Sequence, residues 1–211
     1  MSDNIRASFQ AGARAFVELV SQVRPEQWAK PGLGIWDIRG LVGHTSRALS
    51  TVETYLSQPT SGPPIDGPVA YFVSVLGDRM DTMGRRRLNE AIAERGIQAG
   101  SELGEDPAAR VSELAQRVLH VVDGRSDVSL LATPAGAMTL ADYLSTRTFE
   151  LAVHSLDLAR ALDLAPPTSL TPAVSASCEL AGALAGRLHN AAEVLLALTG
   201  RSSESGSFSI L

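Results

Sequence analysis

Apolar residues recur at helical spacing along most of the chain, and prolines and glycines interrupt this pattern at short intervals. The first segment, residues 3–23, carries apolar side chains at every third or fourth position: Phe9, Ala13, Phe16, Val17 and Val20. Arg24-Pro25 ends the segment, because proline disfavours helical conformation in the residue before it. The pattern therefore predicts a first helix over residues 3–23.

The same signals predict the remaining elements. Asp37 is a good N-cap for a second helix that runs to Ser57. Thr139 can cap a long, strongly apolar helix that reaches Leu164. Further helices are predicted over residues 69–98, 107–122, from 171 onward and over 190–199, with loops at 30–34 and 58–68 and an irregular segment at 123–137 that holds an extended piece at 128–132.

Because strand signals are scarce, these elements predict an all-α protein built as a helical bundle. We divide the chain into a bundle over residues 1–165 and a short helical extension over residues 166–211, since Pro166-Pro167 stops the helix before it. The chain end, Phe208 to Leu211, is expected to be a short extended tail.

Composition narrows the classes of function. The chain has 211 residues, 45% of them hydrophobic, and a net charge of −5, which argues against nucleic-acid binding. Its single cysteine, Cys178, rules out an intrachain disulfide and is expected to be a small buried residue. We find no signal peptide and no apolar stretch long enough to cross a membrane, so the expected location is the reducing cytoplasm.

A polar stripe interrupts the otherwise apolar helix predicted over residues 140–164. Arg147, Glu150, His154 and Asp157 follow the spacing i, i+3, i+7 and i+10, so they share one face. Glu150 and His154 lie one turn apart and can reach a single point, as ligands do in metal sites of helical bundles. The stripe could equally be the narrow solvent face of a core helix.

His44 lies two turns into the helix that Asp37 caps, on the same face as Leu41 and Ala48, and therefore points inward. An inward histidine is either a core residue or a ligand. With Glu150 and His154 it would supply two imidazoles and one carboxylate, which leave an open position on a divalent ion. This is the ligand set of catalytic zinc and also of non-haem iron, so it does not name the metal.

Four further side chains are candidates near such a site. Arg147 can bind an anion or orient Glu150, and Asp157 can either accept a hydrogen bond from His154 or contact a neighbouring helix. Trp28 and Trp36 flank the loop before the second helix, where they either pack the loop or form a pocket wall.

The stretch from Gly34 to His44, GIWDIRGLVGH, resembles the Gly-x-Trp-[Thr/Ser/Asp]-Val-x-Asp-Leu-x-x-His signature of the mycothiol-dependent maleylpyruvate isomerase family. That family belongs to the DinB-like helical-bundle superfamily. Arg147 to Leu158, RTFELAVHSLDL, resembles its second signature, Arg-x-x-Glu-x-x-Val-His-x-x-Asp-Leu. One departure is Gly40, which stands where the first signature has aspartate.

The resemblance implies a four-helix DinB-type bundle that binds a divalent metal, usually zinc, through His44, Glu150 and His154. It also implies mycothiol as cofactor, with Arg147 as a candidate contact, and a thiolate at the open metal position that attacks a small electrophilic substrate. In the isomerase the thiolate adds to a double bond, permits rotation and then leaves. Related bundles transfer such thiols onto electrophiles and often form homodimers.

Three functions follow from these observations. The first is a metal- and thiol-dependent isomerase or S-transferase. The second is a non-enzymatic bundle that binds a small molecule or a partner, motivated by the lack of the isomerase's larger C-terminal α/β domain within residues 166–211. The third is a metal-dependent hydrolase, for which the sequence offers no clear general base beyond the ligands.

Overall fold

The computed structural model describes residues 2–60, 62–76, 82–187 and 191–201. In these residues it is predominantly helical, as predicted. The α-helices are α1 (Ser2–Val20), α2 (Ile38–Leu56), α3 (Gly67–Leu76), α4 (Thr82–Glu102), α5 (Pro107–Asp123), α6 (Leu140–Ala161), α7 (Thr171–Arg187) and α8 (Ala191–Leu198). Two antiparallel hairpins pair β1 (Pro31–Leu33) with β2 (Trp36–Asp37) and β3 (Leu130–Thr133) with β4 (Gly136–Thr139).

Side-chain caps define where the two central helices begin. The Asp37 carboxylate accepts a hydrogen bond from the backbone N–H of Gly40 at 2.7 Å, and α2 starts at Ile38, the residue after Asp37. The Thr139 hydroxyl accepts from the backbone N–H of Asp142 at 3.2 Å at the start of α6. Each cap satisfies a backbone donor that has no partner within the helix. Both caps had been predicted from the sequence.

Helix α6 lies at the centre of the bundle. It packs against α1, α2 and α7, while α2 also packs against α4 and α5. The shared core is built from side chains that are almost completely removed from solvent: Phe9, Phe16, Leu19, Leu41, Leu49, Val111, Val118, Leu144 and Leu151. This packing confirms the all-α class and fixes the α2–α6 interface, on which the candidate site depends.

Three predicted helices differ in extent from the structure, and the first of them, α1, ends at Val20 rather than at residue 23. The single helix expected over residues 69–98 is recorded as α3 and α4, and residues 77–81 between them lie outside the described part. The α3 helix packs on α6 and α7, whereas α4 packs on α2. Helix α6 ends at Ala161 rather than Leu164, because Asp163 adopts a left-handed conformation with φ of 57°.

Two segments predicted to be loop or irregular contain strands. The loop at residues 30–34 contains β1, whose pairing with β2 leads the chain directly into α2. The extended piece predicted at residues 128–132 overlaps β3, and its partner strand β4 leads into α6. Leu131 and Met138, which face each other across this hairpin, are fully buried. Tertiary burial therefore stabilises strands too short to give a clear sequence signal.

The C-terminal region packs on the bundle. Helix α7 contacts α1 and α6, and α8 contacts α7. The division at residue 165 stays a prediction, and the expected tail at 208–211 lies outside the described residues. Cys178 is exposed rather than buried, because it lies on the side of α7 away from the bundle. No helix in the described ranges combines the length and apolar character needed to cross a membrane.

Candidate metal centre

The contact between α2 and α6 brings together the three residues predicted to bind a metal. His44 comes from α2, and Glu150 and His154 come from successive turns of α6. One ligand atom from each side chain lies within 4.8 Å of the other two. All three are partly buried, which limits competition from water. An imidazole, a carboxylate and a second imidazole converging in this way can hold one divalent ion.

Each α6 ligand is held by its neighbours on the same helix. Nε2 of His154 lies 3.4 Å from Oε2 of Glu150, and its Nδ1 lies 3.1 Å from Oδ2 of Asp157. Burial opposes protonation of His154, but hydrogen bonds to Asp157 and Glu150 raise its pKa to about 9. Burial also opposes ionisation of Glu150, yet the hydrogen bond with His154 and the charge of Arg147 lower its pKa to about 2. Glu150 is therefore a carboxylate at neutral pH.

His44 is held differently. Its ring stacks on the indole of Trp36, with centroids 4.4 Å apart and planes 25° apart, and meets the ring of His154 edge-on at 4.7 Å. Burial, together with the nearby charge of His154, lowers the pKa of His44 to about 4, so the imidazole is neutral. Its Nδ1 is buried without a hydrogen-bond partner among the described residues. Neutral imidazole is the form that binds metals.

A cavity of about 630 Å³ opens onto the three side chains. Its wall is largely apolar and aromatic and includes all three tyrosines of the chain. Besides the three candidate ligands, the lining consists of Trp36, Arg47, Ala48, Thr51, Tyr55, Tyr71, Phe72, Val75, Leu88, Ile92, Arg95, Pro134, Tyr143 and Arg147. An apolar cavity with a few converging polar groups is the usual form of a small-molecule site.

Arg147 forms part of the cavity wall but does not reach Glu150. Its guanidinium lies over the rings of Tyr143 and Tyr71, at 4.8 and 5.9 Å from their centroids, and its Nε donates to Thr146 Oγ1 at 3.1 Å. Within the described part of the chain, Arg147 and Glu150 do not form an ion pair. Its guanidinium therefore has donors left to meet an anion.

The structure distinguishes between the two tryptophans. Trp36 lines the cavity, whereas Trp28 lies under the guanidinium of Arg39, 5.7 Å from its ring centroid. Sequence reasoning did not single out Arg47 or Tyr143 as cavity residues. Their spacing could have indicated that they lie at the cavity, because Arg47 follows His44 by one turn of α2 and Tyr143 precedes Arg147 by one turn of α6.

Comparison with known proteins gives one match. The family model for the mycothiol maleylpyruvate isomerase N-terminal domain matches residues 9–159. That range begins within α1, ends within α6 and contains all three candidate metal ligands. No curated protein and no solved structure matches the chain.

Proposed function

Because the chain belongs to the family of the mycothiol maleylpyruvate isomerase N-terminal domain, we propose that it is a metal- and thiol-dependent isomerase or S-transferase. His44, Glu150 and His154 hold the metal, and the substrate is a small electrophile. One observation carries the proposal: these three side chains converge within 4.8 Å at the wall of a cavity of about 630 Å³. The reaction thus takes place inside the bundle, beside α2 and α6.

The residues present fit a divalent ion. Glu150 is ionised and His44 is neutral, so two of the three ligands are already in their metal-binding forms. Two nitrogens and one oxygen suit zinc, which we propose as the resident ion.

The protein's own residues would orient and shield the reactants. A bound divalent ion lowers the pKa of a thiol beside it and so supplies a nucleophilic thiolate at neutral pH. Apolar side chains such as Phe72 and Ile92 exclude water from the cavity. The guanidinium of Arg147 donates hydrogen bonds to an oxygen of the thiol cofactor or of the substrate. Asp157 holds the His154 ring through its Nδ1.

We propose mycothiol as the thiol, since the matched family is described by it. The partners are then two small molecules, the thiol and its electrophile. The proposed location is the cytoplasm, where thiols stay reduced.

A homodimer is the proposed assembly. We propose a division into a bundle over residues 1–165, which carries the site, and a short helical extension over residues 166–211, of which α7 packs on α1 and α6.

Elemental analysis and a thiol-transfer assay test this proposal together. Purified protein is expected to carry about one zinc per chain, which His44→Ala and His154→Ala lose and the control His120→Ala keeps, because His120 lies near the end of α5 away from the cluster. Zinc-loaded protein is then expected to accelerate either the mycothiol-dependent cis-to-trans conversion of a maleyl compound, in which the thiol is regenerated, or the loss of mycothiol in the presence of a haloaryl electrophile.

Two results would overturn the proposal. Absence of metal even after zinc is added back would favour a bundle that only binds a small molecule. Turnover of an ester at an undiminished rate without thiol would favour a metal-dependent hydrolase.

A further inference from the structure

The structure assigns a positioning role to Trp36: its indole fixes the orientation of the His44 imidazole within the candidate metal centre. The inference rests on the metal site proposed above. Trp36 belongs to β2 and lies immediately before Asp37, the residue that caps α2. The turn that starts the helix therefore also places an aromatic ring over a side chain two turns further along it.

The need for such a residue follows from a difference between the two histidines. Nδ1 of His154 is hydrogen-bonded to Asp157, which fixes that ring. Nδ1 of His44 is buried and has no such partner within the described residues. Metal-binding imidazoles depend on a neighbouring group to hold the ring at the correct rotation. For His44 the group in place is the indole, stacked at 4.4 Å and 25°.

The indole can serve as a fixed surface because it is itself clamped between α2 and α4. Its Nε1 donates a hydrogen bond to the carbonyl oxygen of Ala93 in α4 at 2.9 Å. A Cβ on Gly96 would lie 2.6 Å from this nitrogen, and a Cβ on Gly40 would lie 3.1 Å from Cδ1 of the ring. Glycine at both positions leaves a slot that the indole fills.

This arrangement accounts for glycine at position 40, where the first signature has aspartate. A side chain at this position would press against the indole from the α2 side. With the ring held from both helices, rotation of the His44 imidazole about its χ2 axis would have to displace Trp36. Trp36 therefore restricts His44 to one ring plane before any ion arrives.

The first arm of the test uses metal-free protein and proton NMR of the histidine rings. Stacking should shift the His44 ring protons upfield in the wild type. In Trp36→Leu, loss of the indole ring current moves these signals downfield, and loss of a fixed ring orientation should also broaden them, while those of His120 stay in place. The control Trp28→Leu removes the other tryptophan, which lies under Arg39 away from the cavity, and should leave His44 unchanged.

The second arm measures zinc affinity by chelator competition. We expect Trp36→Leu to bind zinc about 10- to 100-fold more weakly, the range found when a group orienting a metal ligand is removed. Trp36→Phe keeps an aromatic face and should lose less, and Trp28→Leu should match the wild type. The helical circular dichroism spectrum of each variant shows whether the bundle is folded. If Trp36→Leu does not fold, Trp36→Phe is used in its place.

The outcomes separate this inference from the proposed function. If the wild type takes up no zinc, the proposed function fails, and the NMR arm still decides whether Trp36 orients His44. If Trp36→Leu lowers thermal stability but leaves the His44 signals sharp and the zinc affinity unchanged, Trp36 only packs the loop and the inference is overturned.

Discussion

Nδ1 of His154 lies 3.1 Å from Oδ2 of Asp157, which is three residues further along the same helix. This contact leaves the opposite ring nitrogen, Nε2, facing Glu150 at 3.4 Å. Because Asp157 both orients the ring and favours its protonated form, it influences how the site accepts a cation. The pair shows how α6 alone assembles a ligand and the group that supports it.

Replacing Asp157 by asparagine is expected to weaken zinc binding by about 10- to 100-fold, since the neutral amide holds the His154 ring less firmly. Chelator competition at about pH 9.5, above the raised pKa of His154, measures the change without competition from the His154 proton. Asp163→Asn is the matched control, because Asp163 is exposed beyond the end of α6 and asparagine also tolerates its left-handed backbone. Equal affinities for wild type and Asp157→Asn would exclude the orienting role.

Zinc affinity should rise with pH between about 7 and 8.5, by up to tenfold per unit. The reason is that the pKa of His154 is raised to about 9 in the metal-free protein, so a proton must leave before the ring binds zinc. His44 has a pKa of about 4 and contributes no proton in this range. Calorimetry in buffers of different ionisation enthalpy should show release of about one proton per zinc at pH 7.

The same raised pKa has a consequence for the stability of the metal-free fold. Protonated His154 contributes stability that is fully present below its unfolded pKa of about 6.5 and is lost as the pH rises through about 9. Zinc should therefore stabilise the protein increasingly across this interval. A zinc affinity independent of pH from 7 to 8.5 would contradict both statements.

Gly43→Ala is expected to destabilise the fold by roughly 1–3 kcal/mol, the usual cost of overpacking. A Cβ at Gly43 would overlap the backbone nitrogen of Gly100 and lie 2.7 Å from the carbonyl carbon of Ala99, so α2 and α4 would have to separate. Urea unfolding measures the effect. Gly182→Ala in α7 is the control: its Cβ meets no atom of the described residues within 4 Å, and it should raise stability by up to about 1 kcal/mol.

Tyr143→Phe should lower the free energy of unfolding by about 1 kcal/mol. The Tyr143 hydroxyl donates to Thr51 Oγ1 at 2.8 Å in a buried environment and so links α6 to α2 beside the cavity. Tyr55→Phe, which removes a hydroxyl with no hydrogen-bond partner among the described residues, should change stability by less than about 0.5 kcal/mol. If the two variants are equally stable, this hydrogen bond does not contribute to the fold.

Local signals predicted most of the elements. Asp37 and Thr139 were identified as caps because an N-cap acts within three residues of itself. The first helix ends at Val20, before the Arg24-Pro25 pair that was predicted to end it. The predictions that failed concern weak or distant effects. The strands β1, β2 and β4 were missed because strands so short give little sequence signal, and the exposure of Cys178 depends on which side of α7 faces the bundle.

The sequence by itself determined the all-α class, the family, the shared face of Glu150, His154 and Asp157 on one helix, and the inward direction of His44. These follow from helical periodicity, which relates residues a few positions apart. Only the tertiary structure decided that His44 meets Glu150 and His154, that Trp36 rather than Trp28 lies at the site, and that Arg147 stands over tyrosine rings instead of pairing with Glu150. Those relations depend on how α2, α4 and α6 pack, and packing is set by side chains far apart in the chain.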